Sequence, residues 1–300
     1  MNFILVIGIY VFIAIGFIAK KSFKDKIDEK SITILNVYFL QVFLTFWGLL
    51  SHPIDIDILV APSIYLLIVV VVLLLSGFIA KKIFYEQKSY SIATVSAIIT
   101  NTGNLGIPIN IAIFGEASIP YTTMINLANV FIVHTIGVYY YSRGEFSTKE
   151  SLKNIAKIPI LYAAIVALTL SAIGFNLPHE LLELLKMGAY ASIVMQLVLF
   201  GLYLHGIKAY ELDIKLNLWV NGVKFLAIPL ISFLTLSLFS IDSYIKGIIF
   251  MELLMPLAIA NVNIASLFEC KPRELTTLVF ITSLLFLVVV FIGIKVVEFL

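Results

Sequence analysis

The chain has 300 residues, 61% of them hydrophobic and 13% charged, with a net charge of +2 and a mean hydropathy of +1.07. Soluble domains run nearer about 45–50% apolar and about 25% charged, so the composition excludes a soluble globular enzyme and calls for an all-α polytopic membrane protein. Cys270 is the only cysteine, which excludes a disulfide framework and a cysteine-based metal site. The basic residues are sorted by loop and form no basic face for nucleic acid.

A bilayer-crossing helix needs about 20 mostly apolar residues. Ten such segments are predicted, at residues 2–19, 31–50, 60–80, 91–114, 119–141, 158–175, 182–204, 217–240, 244–268 and 275–298. No basic residue precedes the first and no small-residue cleavage site follows it, so it is expected to be a retained helix rather than a signal peptide. The connections are short and leave no room for a soluble domain. The expected organisation is a first half over residues 1–141, a short loop over 142–157, and a second half over 158–300.

Lys20, Lys21, Lys24, Lys26 and Lys30 follow the first segment. Lys81, Lys82 and Lys88 follow the third, and Arg143, Lys149, Lys153 and Lys157 follow the fifth. Lys208 and Lys215 follow the seventh, Lys271 and Arg273 the ninth. If ten segments alternate, these sixteen of the 20 basic residues share one side. Cytoplasmic loops of membrane proteins are enriched in Lys and Arg, which predicts a plasma (inner) membrane protein with both termini extracytoplasmic. Five spans per half then makes any internal repeat an inverted one.

The fourth segment contains Thr100-Asn101-Thr102-Gly103-Asn104-Leu105-Gly106-Ile107-Pro108-Ile109-Asn110. Two glycines, a proline and three amides in eleven residues argue against an uninterrupted helix, because proline removes a backbone donor and blocks the preceding turn. Non-helical backbone at membrane depth is tolerated where it lines a cavity, and in secondary transporters that cavity is the binding site. A Pro-kinked packing helix is the alternative. The ninth segment repeats the pattern from Glu252 to Ser266, with Pro256, Asn261 and Asn263, and Pro256 lies 148 residues after Pro108. Corresponding interrupted helices in two halves point to a transporter's site. Each proline is expected at the start of a second half-helix. Two helix N-termini facing the midplane would attract an anion, and Asn101, Asn104, Asn261 and Asn263 add neutral donors and acceptors. A cation held by freed carbonyls is the competing possibility.

Asn101-Thr102-x-x-x-Gly106-Ile107-Pro108 with Phe114-Gly115 resembles the fourth helix of the auxin efflux carrier family. Met255-Pro256 with Asn261 and Ala265 resembles the ninth helix of its prokaryotic members. The resemblance implies two inverted five-helix repeats with helices 4 and 9 broken and crossing, a fold related to bile-acid symporters and sodium/proton antiporters. It implies scaffold helices 1, 2, 6 and 7, a transport domain of helices 3–5 and 8–10, and a scaffold-mediated homodimer. It further implies elevator-type transport of a small organic acid, contacted by Asn101 and the backbone around Pro108 and Pro256, with Thr102 in the same motif. The plant carriers' long hydrophilic loop between helices five and six is missing here, and Gly103 and Asn104 follow the prokaryotic pattern, so auxin itself is not implied.

Other polar residues carry weaker expectations. Glu252 is an intramembrane acid and a candidate for proton coupling, with a packing role the alternative. His134, beside Asn126 and Asn129, is a candidate for the same role or for an interhelical hydrogen bond. Lys224 reads as a snorkelling anchor, Glu183 with Lys186 as an interfacial pair, and Tyr139 to Tyr141 as an interfacial aromatic belt. Asn36, Gln41 and Gln196 read as packing glue. A sodium-coupled symporter would use Asn104, Glu252, Asn261 and freed carbonyls as ligands; a sensor that binds without moving its ligand is a further alternative. No zinc-protease, serine-hydrolase or phosphate-loop motif is present, so neither an enzyme nor an ATP-driven pump is expected, and no cofactor.

Overall fold

The computed structural model describes residues 3–51, 57–142, 159–175, 177–206 and 213–300. Their regular structure is helical apart from one isolated bridge. The helices are α1 (Phe3–Phe23), α2 (Glu29–Leu50), α3 (Asp57–Ile83), α4 (Gln87–Val95), α5 (Thr102–Phe114) and α6 (Glu116–Tyr141). They continue with α7 (Pro159–Ala172), α8 (His179–Gly206), α9 (Ile214–Ser237), α10 (Ser243–Leu254), α11 (Ala260–Leu267) and α12 (Pro272–Val297). Among the described residues, six helices are long and apolar enough to cross a membrane: α2, α3, α6, α8, α9 and α12. The fourth and ninth predicted segments are each split into two shorter helices. The basic residues Arg143, Lys149, Lys153, Lys157 and Lys208 lie outside the described residues.

Helix starts are set by short acidic side chains that satisfy orphan amides. Asp28 accepts from the Lys30 and Ser31 amides ahead of α2, Asp213 from the Leu216 amide at 3.0 Å in α9, and Asp242 from the Tyr244 amide at 2.8 Å in α10. Large apolar side chains remain uncovered along α1, α3, α9 and α12, including Ile18, Leu74, Phe78, Leu226, Leu230 and Val288. In water such stripes would drive association; in a bilayer they face a solvent that matches them.

The chain divides into two compact units. The first takes the described residues of Met1–Leu59, Gly103–Leu127 and Ala156–Gly206. Its packing rests on close approach: a Cβ added to Gly16 would overlap the Val198 carbonyl, and one added to Gly201 would overlap the Ile13 carbonyl. Small residues let membrane helices bring their backbones together in this way. Leu49, Leu127, Ile160, Ala164 and Ala167 form a buried cluster beside them. Asn36 accepts from Ser192 at 3.0 Å, and Ser192 accepts from Gln196 at 3.0 Å, a buried polar link between α2 and α8. The expected Glu183–Lys186 pair is replaced by one from Lys186 to Glu116 at 3.2 Å, with Tyr190 donating to the same carboxylate. The reach of a Lys to an acid 70 residues away could not be read from local spacing.

The second unit takes the described residues of Val60–Thr102, Ala128–Ile155 and Ile207–Leu300. Loops of the same predicted side meet at one end of it. Lys271 pairs with Glu86 and donates to Ser89 at 2.8 Å, and Lys215 donates to the Ile83 carbonyl at 2.9 Å. The Lys271 ammonium, against the opposing effect of burial and with help from the Ser89 hydroxyl, holds the Glu86 carboxyl below its ordinary range. Trp219 donates to the Ala93 carbonyl at 2.9 Å, joining α9 to α4.

Replacing Gly201 by Ala forces α8 away from α1, because the added methyl meets backbone rather than a movable side chain. Overpacking of this kind costs about 1–3 kcal/mol. The purified variant is expected to melt several degrees below the parent in a thermal-unfolding scan in detergent; an unchanged melting temperature would contradict the close approach.

Candidate functional site

The second unit contains two places where helical backbone is interrupted, and they pair with each other. After α4 the chain makes one tight turn over Ser96–Ile98 and then runs extended through Thr100 and Asn101. Between α10 and α11 the chain is extended from Met255. Thr100 and Leu257 form an antiparallel bridge, with Asn101 N–H donating to the Pro256 carbonyl at 2.9 Å and Ala258 N–H to the Ile99 carbonyl at 3.0 Å. Unwound backbone in hydrocarbon must find partners within the protein. This bridge supplies two of them.

Side chains supply the rest. Asn261, wholly buried, donates to the Ile99 and Ala258 carbonyls at 3.0 and 3.1 Å, and its oxygen accepts from the Tyr141 hydroxyl at 2.6 Å. Asn129 donates to the Thr100 carbonyl at 2.8 Å and to the Thr102 hydroxyl at 3.1 Å. Tyr65 lies against both, 3.1 Å from the Thr100 hydroxyl and 3.3 Å from Asn129 Oδ1. The Leu257 amide is 3.4 Å from the Thr282 hydroxyl. Lys224, wholly buried, donates to the Ala97 carbonyl at 3.2 Å and to the Leu253 carbonyl at 2.9 Å. Asn101 differs from all of these. Its backbone is held by Pro256, while its side chain is 3% exposed and its Nδ2 has no hydrogen-bond partner among the described residues.

Several sequence expectations change here. Lys224 does not snorkel to the interface: it lies in a π-helical stretch of α9, Val223–Ala227, and points at two carbonyls that the interruptions leave without helical partners. A π-turn widens the helix by one residue and is frequent at functional sites. Tyr141 is not part of an interfacial belt; it is buried on Asn261, whereas Tyr139 is exposed. Pro256 does not open the second half-helix. It sits in the extended link four residues before α11 begins at Ala260, where its carbonyl serves the bridge. Pro108 does occupy a first-turn position, in the α-helical stretch Ile107–Phe114 that follows the π-turn Thr102–Gly106.

Thr102 is buried with Asn101 in the second unit, and Glu252 is wholly buried at the residue before Leu253. Asn263 is exposed on α11, and His134 is half-buried in the π-turn Val133–Gly137. Asn104 and Pro108 belong to the first unit, where Asn104 is half-buried, Pro108 is buried, and Asn110 donates to the Gly106 carbonyl at 2.9 Å. A Cβ on Gly103 would lie 2.9 Å from Asn126 Oδ1, so any larger residue would require the Asn126 amide to shift. Among the described residues no group of three or more His, Cys, Asp or Glu side chains is placed to hold a metal ion. The residues missed by sequence reasoning as parts of the site are Tyr65, Tyr141, Lys224 and Thr282. Of these only Lys224, an isolated charge in an apolar segment, carried a signal.

Interrupted helices stapled by polar side chains, in a chain with six apolar candidate spans, define a polytopic membrane protein of the transporter class. The chain matches the family model described as membrane transport protein over residues 2–151 and 145–294, and so belongs to that family, the auxin efflux carriers and their relatives. It is also 26% identical over 297 residues to an uncharacterized transporter of Methanocaldococcus jannaschii, a match covering 95% of each chain.

Asn261→Ala removes the Tyr141 acceptor and three amide contacts at once. An orphaned buried polar group costs about 1–3 kcal/mol. The variant is expected to melt well below the parent in detergent, and Tyr141→Phe by a smaller amount in the same direction. Parental melting of Asn261→Ala would remove the clamp from the account.

Proposed function

We propose that the protein is a secondary or facilitative transporter of a small organic anion, with the carboxylate held at the paired interruptions. The observation that carries this reading is the Asn101 amide. A buried NH2 without an acceptor is expensive, and a carboxylate oxygen or a water ahead of it would satisfy the group. The link beside it is extended, with the Leu257 amide on the Thr282 hydroxyl and the Ala258 amide on the Ile99 carbonyl, so the Asn101 side-chain amide is the donor it offers a ligand. Hydrogen-bond donors without a direct ion pair suit a site that must release its ligand, and the family supports movement across a membrane as the outcome.

In the same reading the breaks in segments four and nine belong to two inverted five-helix repeats and cross at mid-membrane. Segments one, two, six and seven act as a dimer-forming scaffold, and segments three to five with eight to ten carry the substrate past it. Thr102, Asn104, Asn263 and the backbone at Pro108 complete the set of candidate contacts. Glu252 and His134 remain the titratable groups available for coupling. The joined basic loops at 83–89, 215 and 271 support a cytoplasmic assignment for that end and extracytoplasmic termini.

Asn101→Ala separates binding from folding, because its side-chain amide makes no bond within the described residues. Loss of one hydrogen bond to a charged group costs about 1.5–3 kcal/mol. Carboxylate binding to the purified variant, measured by calorimetry against mono- and dicarboxylates, is expected to weaken roughly tenfold or more with the melting temperature unchanged. Equal affinity in the variant would take Asn101 out of the site. Binding without uptake into vesicles would favour the sensor.

A further inference from the structure

A groove of about 520 Å³ lies between α3 and α9 in the second unit. That is within the range of about 300–1,000 Å³ that ligand pockets occupy. It opens outward, since Ile79, Leu218, Leu226 and Leu230 in its walls are all exposed. Two polar side chains reach it, and neither offers it a hydrogen. The Ser76 hydroxyl lies 3.2 and 3.1 Å from the Leu73 and Thr94 carbonyls, and the Trp219 indole donates to the Ala93 carbonyl. The groove therefore takes an apolar occupant. Along α9, Leu218 and Leu230 are about 18 Å apart, against about 15 Å for half the hydrocarbon core of a bilayer. One acyl chain of a single leaflet matches that depth. Midway along it, a Cβ added to Gly222 would meet no atom within 4 Å.

One end of the groove is basic. Lys82 lies one turn beyond Ile79 on α3 and Lys215 one turn before Leu218 on α9, with Lys81 beside them. Lys215 donates to the Ile83 carbonyl at 2.9 Å and so joins the two helix ends there. Lys82 rests 4.4 Å from the centre of the exposed Phe78 ring. Among the described residues, none of these three lysines forms a salt bridge. The nearby acids are engaged elsewhere, Glu86 by Lys271 and Asp213 by the Leu216 amide. Basic pockets between membrane helices bind anionic lipid headgroups. We propose that the α3–α9 groove binds an anionic glycerophospholipid, with one acyl chain along Leu218–Leu230 and the phosphate at Lys82 and Lys215. The lipid then packs on Val223, Leu226 and Ala227, which belong to the π-turn that carries Lys224. This binding does not depend on what the protein transports.

Trp219 stands in the groove wall and reports its occupant. With Trp47→Phe it is the sole tryptophan, and a bromine-labelled acyl chain beside it quenches its fluorescence. The test reconstitutes that protein in phosphatidylcholine bilayers with rising fractions of brominated phosphatidylglycerol or brominated phosphatidylcholine. Half-maximal quenching by phosphatidylglycerol is expected at a fraction at least about fivefold lower. Lys82→Gln with Lys215→Gln is expected to make the two lipids quench alike. Lys21→Gln with Lys26→Gln, which removes the same charge elsewhere, is expected to keep the preference. Gly222→Leu fills the groove without a clash, and is expected to keep the parental melting temperature and lose the preference. Equal quenching by both lipids before the lysine and glycine substitutions would overturn the proposal and leave ordinary annular lipid only. So would a preference that survives the Lys82 and Lys215 substitutions or Gly222→Leu, or one lost equally in the Lys21 and Lys26 control. Native mass spectrometry of the parent, offered equal amounts of both lipids, checks the preference without any substitution; no excess of phosphatidylglycerol adducts would contradict the site.

Discussion

The constraint on which the rest of the second unit depends is that helical backbone, once interrupted in an apolar medium, must be satisfied by the protein itself. Every feature around the Thr100–Leu257 bridge answers it. Two main-chain bonds join the extended links, Asn129 covers the Thr100 carbonyl, Asn261 covers those of Ile99 and Ala258, and Lys224 covers those of Ala97 and Leu253. Three side chains from three helices therefore converge on a few residues of unwound chain. Tyr65 and Tyr141 hold the two asparagines in turn. Against this background the Asn101 Nδ2, without a hydrogen-bond partner among the described residues, is capacity left for something other than the fold.

A buried lysine is costly unless its hydrogens are placed. Lys224 places them on two helix ends, the carbonyls of Ala97 and Leu253, and so completes the scaffold of the interruption.

Much of this was legible in the sequence. Gly103, Gly106 and Pro108 within an apolar stretch signal an interruption because each disfavours an unbroken helix there, and Pro256 repeats the signal. The lysines after the first, third, seventh and ninth segments sort the loops, and Lys215 and Lys271 do meet the 83–89 loop in the second unit. What was not legible is direction and distance. Periodicity places Lys224 on a helix but cannot say that a π-turn aims it at carbonyls on two other elements. Three consecutive tyrosines look alike by composition, yet Tyr139 is exposed and Tyr141 is buried on an asparagine 120 residues away. Pro256 forbids the preceding helical turn but does not fix where helix resumes, which is why it serves the bridge instead of opening α11.

The most direct test of the central claim, that this arrangement binds and moves an organic anion, is charge movement across proteoliposomes containing the purified protein. A series of small mono- and dicarboxylates would be applied by rapid solution exchange, each beside its neutral amide. The account predicts a saturable current for at least one acid and none for its amide. A current evoked by a sodium step alone, with every acid silent, would contradict it.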